Sequence, residues 1–90
     1  MSPSSETAAA VTITLPANLH ARPAGKLAQA AARFDSTIRL EYGGRTISPT
    51  GVLAVMGLGA TTGTTVTITA DGPDAEAAVH ALADILATAE

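Results

Sequence analysis

The chain has 90 residues and a formal net charge of −3, and 47% of it is hydrophobic while only 2% is aromatic. That length holds one domain with a single aliphatic core and excludes a deep substrate cleft with walls of its own. The absence of cysteine excludes disulfides and thiolate metal sites, and the absence of any Lys/Arg cluster excludes a nucleic-acid footprint.

The opening MSPSSETAAA has neither a basic stretch nor a sustained apolar run, so residues 1–10 read as a disordered tail rather than a signal peptide. No apolar run approaches membrane-spanning length, and a cysteine-free chain of this kind suits the cytoplasm. The domain then occupies residues 11–90. In VTITL, Val11, Ile13 and Leu15 share one face and Thr12 and Thr14 the other, which is the alternation of a half-buried strand. Pro16 and Asn18 break it. From Ala21 to Phe34, Pro23, Leu27, Ala30, Ala31 and Phe34 form the apolar stripe of an amphipathic helix. TIRLEY alternates again, burying Ile38, Leu40 and Tyr42, and Gly43–Gly44 signals a hairpin that returns through Arg45–Ile47.

A short helix follows, started by Pro49 or Thr50 and stopped by Gly57 or Gly59. TVTITA reads as a fourth strand burying Val66, Ile68 and Ala70. Gly72–Pro73 opens a last helix, with Asp74 and Glu76 suited to its positive end and an apolar stripe of Ala75, Ala78, Val79, Leu82, Ile85 and Leu86. The predicted order is βαββαβα, with helices on one side of an antiparallel-rich sheet.

The chemistry concentrates in NLHARPAGKL, from Asn18 to Leu27. His20 falls at the N-cap of the first helix, and the first-turn amides after it have no intrahelical acceptor. Pro23 is harmless there, because a first-turn nitrogen makes no helical bond, and it stiffens the turn that holds the ring. A helix N-terminus disfavours an imidazolium and favours a phosphate, so it suits a neutral, nucleophilic ring. After phosphoryl transfer, the amides of Ala21 and Arg22 and the Arg22 guanidinium would meet the added oxygens. On residue chemistry alone, an exposed histidine that merely precedes a helix is an equal reading.

LHARPAGKL resembles the active-site segment of the HPr family, the histidine phosphocarriers of the phosphoenolpyruvate-dependent sugar phosphotransferase system (PTS). LEYGGRTI, VLAVMGLGA and GTTVTITADGPDAEAAVHALADIL are similar to that family's later segments, in the same order, so the likeness runs from Val11 to the C-terminus. The resemblance implies an α+β, HPr-like open-faced sandwich with a four-stranded antiparallel sheet and three helices on one face. It implies that His20 takes a phosphoryl group on Nδ1 from enzyme I and gives it to the IIA domain of a sugar permease, with Arg22 beside the phosphate. Val52, Leu53 and Met56 would dock both partners. The protein would be a monomeric carrier rather than a turnover enzyme, without cofactor or metal. A regulatory binding module of the same fold, or a carrier of a nitrogen-related or dihydroxyacetone-kinase branch, is the alternative.

Two positions depart from the family pattern. Kinase-regulated members carry a serine just before the apolar pair of the second helix, where this chain has Gly51; Ser48 and Thr50 are near but out of register. Relatives often place a small polar side chain, which bonds the phosphate, where this chain has Ala17, and Asn18 replaces it only with a different loop geometry. Elsewhere the residues read as ordinary. His80, between Glu76 and Asp84, sits on a solvated helix face with modest ion pairing. GLGATTG follows a helix and precedes a strand, the reverse of a nucleotide loop, and so reads as a helix stop and a turn.

Overall fold

The computed structural model describes residues 8–89. Its elements are β1 (Ala8–Thr14), α1 (Ala21–Ala31), β2 (Thr37–Tyr42), β3 (Arg45–Ile47), α2 (Val52–Gly57), β4 (Thr65–Asp71) and α3 (Ala75–Ala87), in the expected βαββαβα order. The strands form one sheet, ordered β1-β4-β2-β3, in which every neighbouring pair is antiparallel. The three helices cover one face of this α+β sandwich. α3 lies across β1, β4 and β2, while α1 packs on α3 and α2.

Side-chain alternation sets the two faces of the sheet. Val66, Ile68 and Ala70 of β4, with Ile38 and Leu40 of β2, are buried beneath the helices. Val11 and Ile13 are only half-buried, because β1 is an edge strand, and Leu15 just beyond it is fully buried. On the open face the cross-strand partners Thr12 and Thr67 bring their hydroxyls to 3.3 Å. Gly43 and Gly44 turn the β2–β3 hairpin with φ of 58° and 80°, the two positive angles that a tight hairpin turn needs.

Several boundaries differ from the sequence pattern. β1 begins at Ala8, and Ala8, Ala9 and Ala10 pair with Asp71, Ala70 and Thr69. Ala8–Ala10 are therefore strand and not tail, and the rest of the expected tail, residues 1–7, lies outside the described residues. Pairing with β4 satisfies backbone groups and needs no apolar alternation, so an alanine run conceals it. α1 stops at Ala31; the Arg33 and Phe34 amides close the next turn onto Ala30 and Ala31, and Phe34 packs half-buried against the core. In α3, Ala83 is buried where Ile85 was expected, and Ile85 is half-buried.

The end of the molecule where α1 stops is held by Asp74. Its carboxylate accepts the Asp35 and Ser36 amides, each at 2.9 Å, and the Ser36 hydroxyl. The Ser36 hydroxyl and then the Asp35 amide hold this carboxyl below the usual aspartate range. Gly72 permits the approach. Its φ is 149°, and a Cβ there would lie 2.5 Å from the Ser36 Cα.

Candidate functional site

The loop between β1 and α1 is fixed before it reaches His20. The Leu15 amide donates to the Thr64 carbonyl at 2.8 Å, the Gly63 amide to the Leu15 carbonyl at 2.8 Å, and the Leu19 amide to the Ala60 carbonyl at 3.1 Å. Leu15 and Leu19 are both buried, so apolar anchors sit at each end of a short polar stretch. Between them, the Asn18 Oδ1 accepts the Thr62 amide at 2.8 Å and the Thr62 hydroxyl at 3.1 Å. The His20 amide donates to the Asn18 carbonyl at 3.0 Å.

His20 is the N-cap of α1, in extended backbone conformation, and makes no side-chain cap bond. Its ring belongs to an exposed residue. The His20 carbonyl accepts the Ala24 amide at 3.0 Å, which is the first intrahelical bond. The Ala21 and Arg22 amides lie ahead of that bond and have no acceptor within the helix, while Pro23 has no amide to satisfy. Pro23, Ala24 and Leu27 are buried and seat the helix on the core. Its first turn contains no acidic residue, so the positive end of the helix is uncompensated from within.

His20 lines a shallow depression with Asn18, Leu19, Met56, Gly59, Ala60 and Thr61. Arg22 lines a separate hollow of about 210 Å³ with Pro23, Lys26, Ile85, Thr88 and Ala89. The two expected phosphate-site residues therefore line different hollows rather than one. Neither hollow has an acidic lining residue among the described residues, and the second has two cations.

Met56 connects the His20 depression to α2. Val55 and Leu58 are buried and anchor that helix, leaving Val52, Leu53 and Met56 as its exposed large apolar side chains at 38%, 82% and 37% exposure. An exposed leucine beside two part-exposed apolar neighbours makes an apolar surface patch. Arg45 Nη1 donates to the Gly57 carbonyl at 3.0 Å, tying β3 to the end of α2, a contact that the sequence does not announce. Gly51, not Pro49 or Thr50, is the N-cap of α2. The Ser48 and Thr50 hydroxyls bond each other at 2.8 Å in the turn ahead of it. Gly59 stops the helix at φ 70° and Gly63 turns at φ 86°, as expected of GLGATTG.

His80 is exposed on α3 and lines neither hollow. The ion pairing expected around it is not formed, since Arg39–Asp71, at 3.3 Å, is the one ion pair among the described residues. Glu76 and Asp84 face water, where an isolated pair gains little. Among the described residues no three potential metal ligands cluster, and no helix is long and apolar enough to cross a membrane.

A family model described as the PTS HPr component phosphorylation site matches residues 7–88, a span that takes in His20, Arg22 and all of α2. The chain belongs to the PTS HPr family. Among solved structures, the phosphocarrier protein HPr of Bacillus anthracis is 34% identical with a TM-score of 0.82, over 88% of this chain and 96% of that one. An HPr of Thermoanaerobacter tengcongensis is 33% identical with a TM-score of 0.76, over 88% and 89%. Crh, a catabolite repression protein of Bacillus subtilis whose crystal structure is a domain-swapped intertwined dimer, is 37% identical with a TM-score of 0.71, over 84% and 87%. The HPr relatives and Crh thus share a similar fraction of this chain, and individual residues must separate carrier from regulator.

Proposed function

We propose that this HPr-family chain is the phosphoryl carrier of a sugar phosphotransferase system, with His20 as the residue phosphorylated. The observation that carries the reading is the placement of His20. Its ring is exposed at the start of a helix without acid in its first turn, and Met56 links it to the exposed Leu53. Enzyme I presents a phosphohistidine, and His20 attacks its phosphorus through an unprotonated Nδ1, the ring proton residing on Nε2. The N–P bond to the donor ring breaks as the bond to Nδ1 forms, and the donor nitrogen keeps the electron pair. Transfer to a IIA domain repeats the step with His20 as donor.

The protein's contribution is positioning and charge neutralisation. The Ala21 and Arg22 amides bond the phosphoryl oxygens, and the Arg22 guanidinium turns from its own hollow to pair with them. Val52, Leu53 and Met56 dock both partners in turn. Because the substrates are other proteins, the chain is a carrier and not a turnover enzyme, acting as a monomer in the cytoplasm. A regulatory module would dock through α2 without transferring anything, and would need neither His20 nor Arg22; their presence together favours the carrier. The test is incubation with enzyme I and phosphoenolpyruvate, followed by intact mass before and after acid. One phosphoryl group that acid removes is the expected result, and no gain in mass would reject the reading.

A further inference from the structure

Asn18 stands two residues before the reactive ring and serves it twice. Its main-chain carbonyl accepts the His20 amide at 3.0 Å, which fixes the backbone from which the ring projects. Its side-chain Oδ1 accepts the Thr62 amide at 2.8 Å and the Thr62 hydroxyl at 3.1 Å, across 44 residues of chain. The backbone amide determines how the side chain is oriented, since only the oxygen end of a carboxamide can accept an N–H. Thr62 is itself held on a closed turn, in which the Thr64 amide and hydroxyl donate to the Thr61 carbonyl at 3.1 and 2.6 Å. That turn follows α2 and its exposed apolar patch after the Leu58–Ala60 segment.

We infer that Asn18 is a positioning residue for phosphoryl transfer, clamping the His20 loop to the Thr62 turn and so fixing the ring relative to the docking helix α2. The inference rests on the carrier reading of His20. Asn18 is exposed, so its side chain adds little to core packing. The clamp also answers the departure at Ala17: the side chain of Asn18 engages the protein, and does not simply replace a missing phosphate ligand. In-line transfer between two rings is sensitive to displacements of about 1 Å, and a loop freed at Asn18 loses that alignment while its docking surface persists.

The experiment compares loading by enzyme I and phosphoenolpyruvate for wild type, Asn18→Ala, Asn18→Asp, Thr62→Ala and Asn18→Ala/Thr62→Ala, with amide exchange followed at Thr62. With the variant as substrate of enzyme I, Asn18→Ala should lower that enzyme's kcat about tenfold or more while KM stays within about twofold, and should speed exchange at Thr62. Asn18→Asp keeps an oxygen acceptor and should restore slow exchange there. Thr62→Ala removes one of two donors and should slow transfer less, with no further loss in the Asn18→Ala background. A wild-type kcat for Asn18→Ala, unchanged Thr62 exchange, or a full extra loss in the double variant would overturn the inference alone. A wild type that gains no phosphoryl group would overturn the carrier reading and this inference with it.

Discussion

The two long helices begin in opposite ways. α3 has Asp74 at its N-cap, where its side chain makes no cap bond, and Glu76 in its first turn, so two acidic residues stand near its positive end. α1 has His20 at its N-cap and no acid in its first turn, where Arg22 stands instead. A cation at a helix N-terminus opposes the macrodipole by about 0.3–1 kcal/mol, so Arg22 is placed against the stability of its own helix. Asp74, by contrast, joins two loops through the Asp35 and Ser36 amides and the Ser36 hydroxyl. One end supplies its own negative charge and is tied down; the other has Arg22 and no acid in its first turn, the arrangement that the proposed phosphoryl site requires.

The contrast breaks completely at His20. His20→Ala should fold, since an exposed cap position contributes only about 1 kcal/mol, yet should accept no acid-labile phosphate. His80→Ala should load like wild type. Intact mass after incubation with enzyme I and phosphoenolpyruvate checks both, and acid-labile phosphate on His20→Ala would move the reactive residue elsewhere.

Arg22 sharpens the comparison, because function and stability should move in opposite directions. Arg22→Glu puts an acid into the first turn of α1, as α3 already has, and should raise stability by about 0.3–1 kcal/mol in urea unfolding. It should also transfer far more slowly than wild type, because it repels the incoming phosphate. Arg22→Lys keeps the charge but loses the planar two-pronged donor and should fall between them. Equal transfer rates for all three would make Arg22 a bystander.

At the other end the expected effects fall on stability, with transfer spared. Gly72→Ala forces a side chain at φ 149° against the Ser36 backbone, and should cost about 1–3 kcal/mol in urea unfolding. Asp74→Asn tests the charge itself. The folded carboxyl is held below its unfolded range, so its contribution is fully present above the unfolded pKa and lost as pH falls through the folded one. Wild type should therefore exceed Asp74→Asn in thermal midpoint near neutral pH, and the gap should narrow below about pH 4. A gap that persists unchanged into acid would show that the carboxylate charge contributes nothing.

These two ends were unequally legible in the sequence. The alternation of Val66, Ile68 and Ala70, the Gly43–Gly44 hairpin and the His20–Pro23 helix start are local patterns, and they place four strands, three helices and His20 at the N-cap of α1. The strand at Ala8–Ala10 escapes because its pairing lies in the backbone. The clamp from Asn18 to Thr62, the clasp from Ser36 to Asp74 and the bond from Arg45 to the Gly57 carbonyl span 44, 38 and 12 residues. Each Asn, Ser or Asp involved is a residue type that bonds backbone in loops, so the donors and acceptors were visible. Their partners were not, because only the fold brings them together.

The smallest expected change in stability is at the start of α2, and it tests whether this helix start is silent to regulation. Gly51 is the N-cap, and an added Cβ would meet only the Ala54 Cβ at 3.6 Å, an ordinary contact. Gly51→Ser therefore fits the site, and as a better N-cap should stabilise the protein by only a few tenths of about 1 kcal/mol. Its consequence for modification should be larger. The resemblance to kinase-regulated HPr proteins places their target hydroxyl at this position, and a phosphate there would set negative charge beside the exposed Val52 and Leu53. Ser48 and Thr50 are out of register, and their hydroxyls bond each other in the preceding turn. With a serine kinase of the family and ATP, wild type should stay unmodified while Gly51→Ser gains an acid-stable phosphate and loads His20 more slowly. Acid-stable phosphate on wild-type Ser48 or Thr50 would show that a kinase reads this turn without a hydroxyl at the cap.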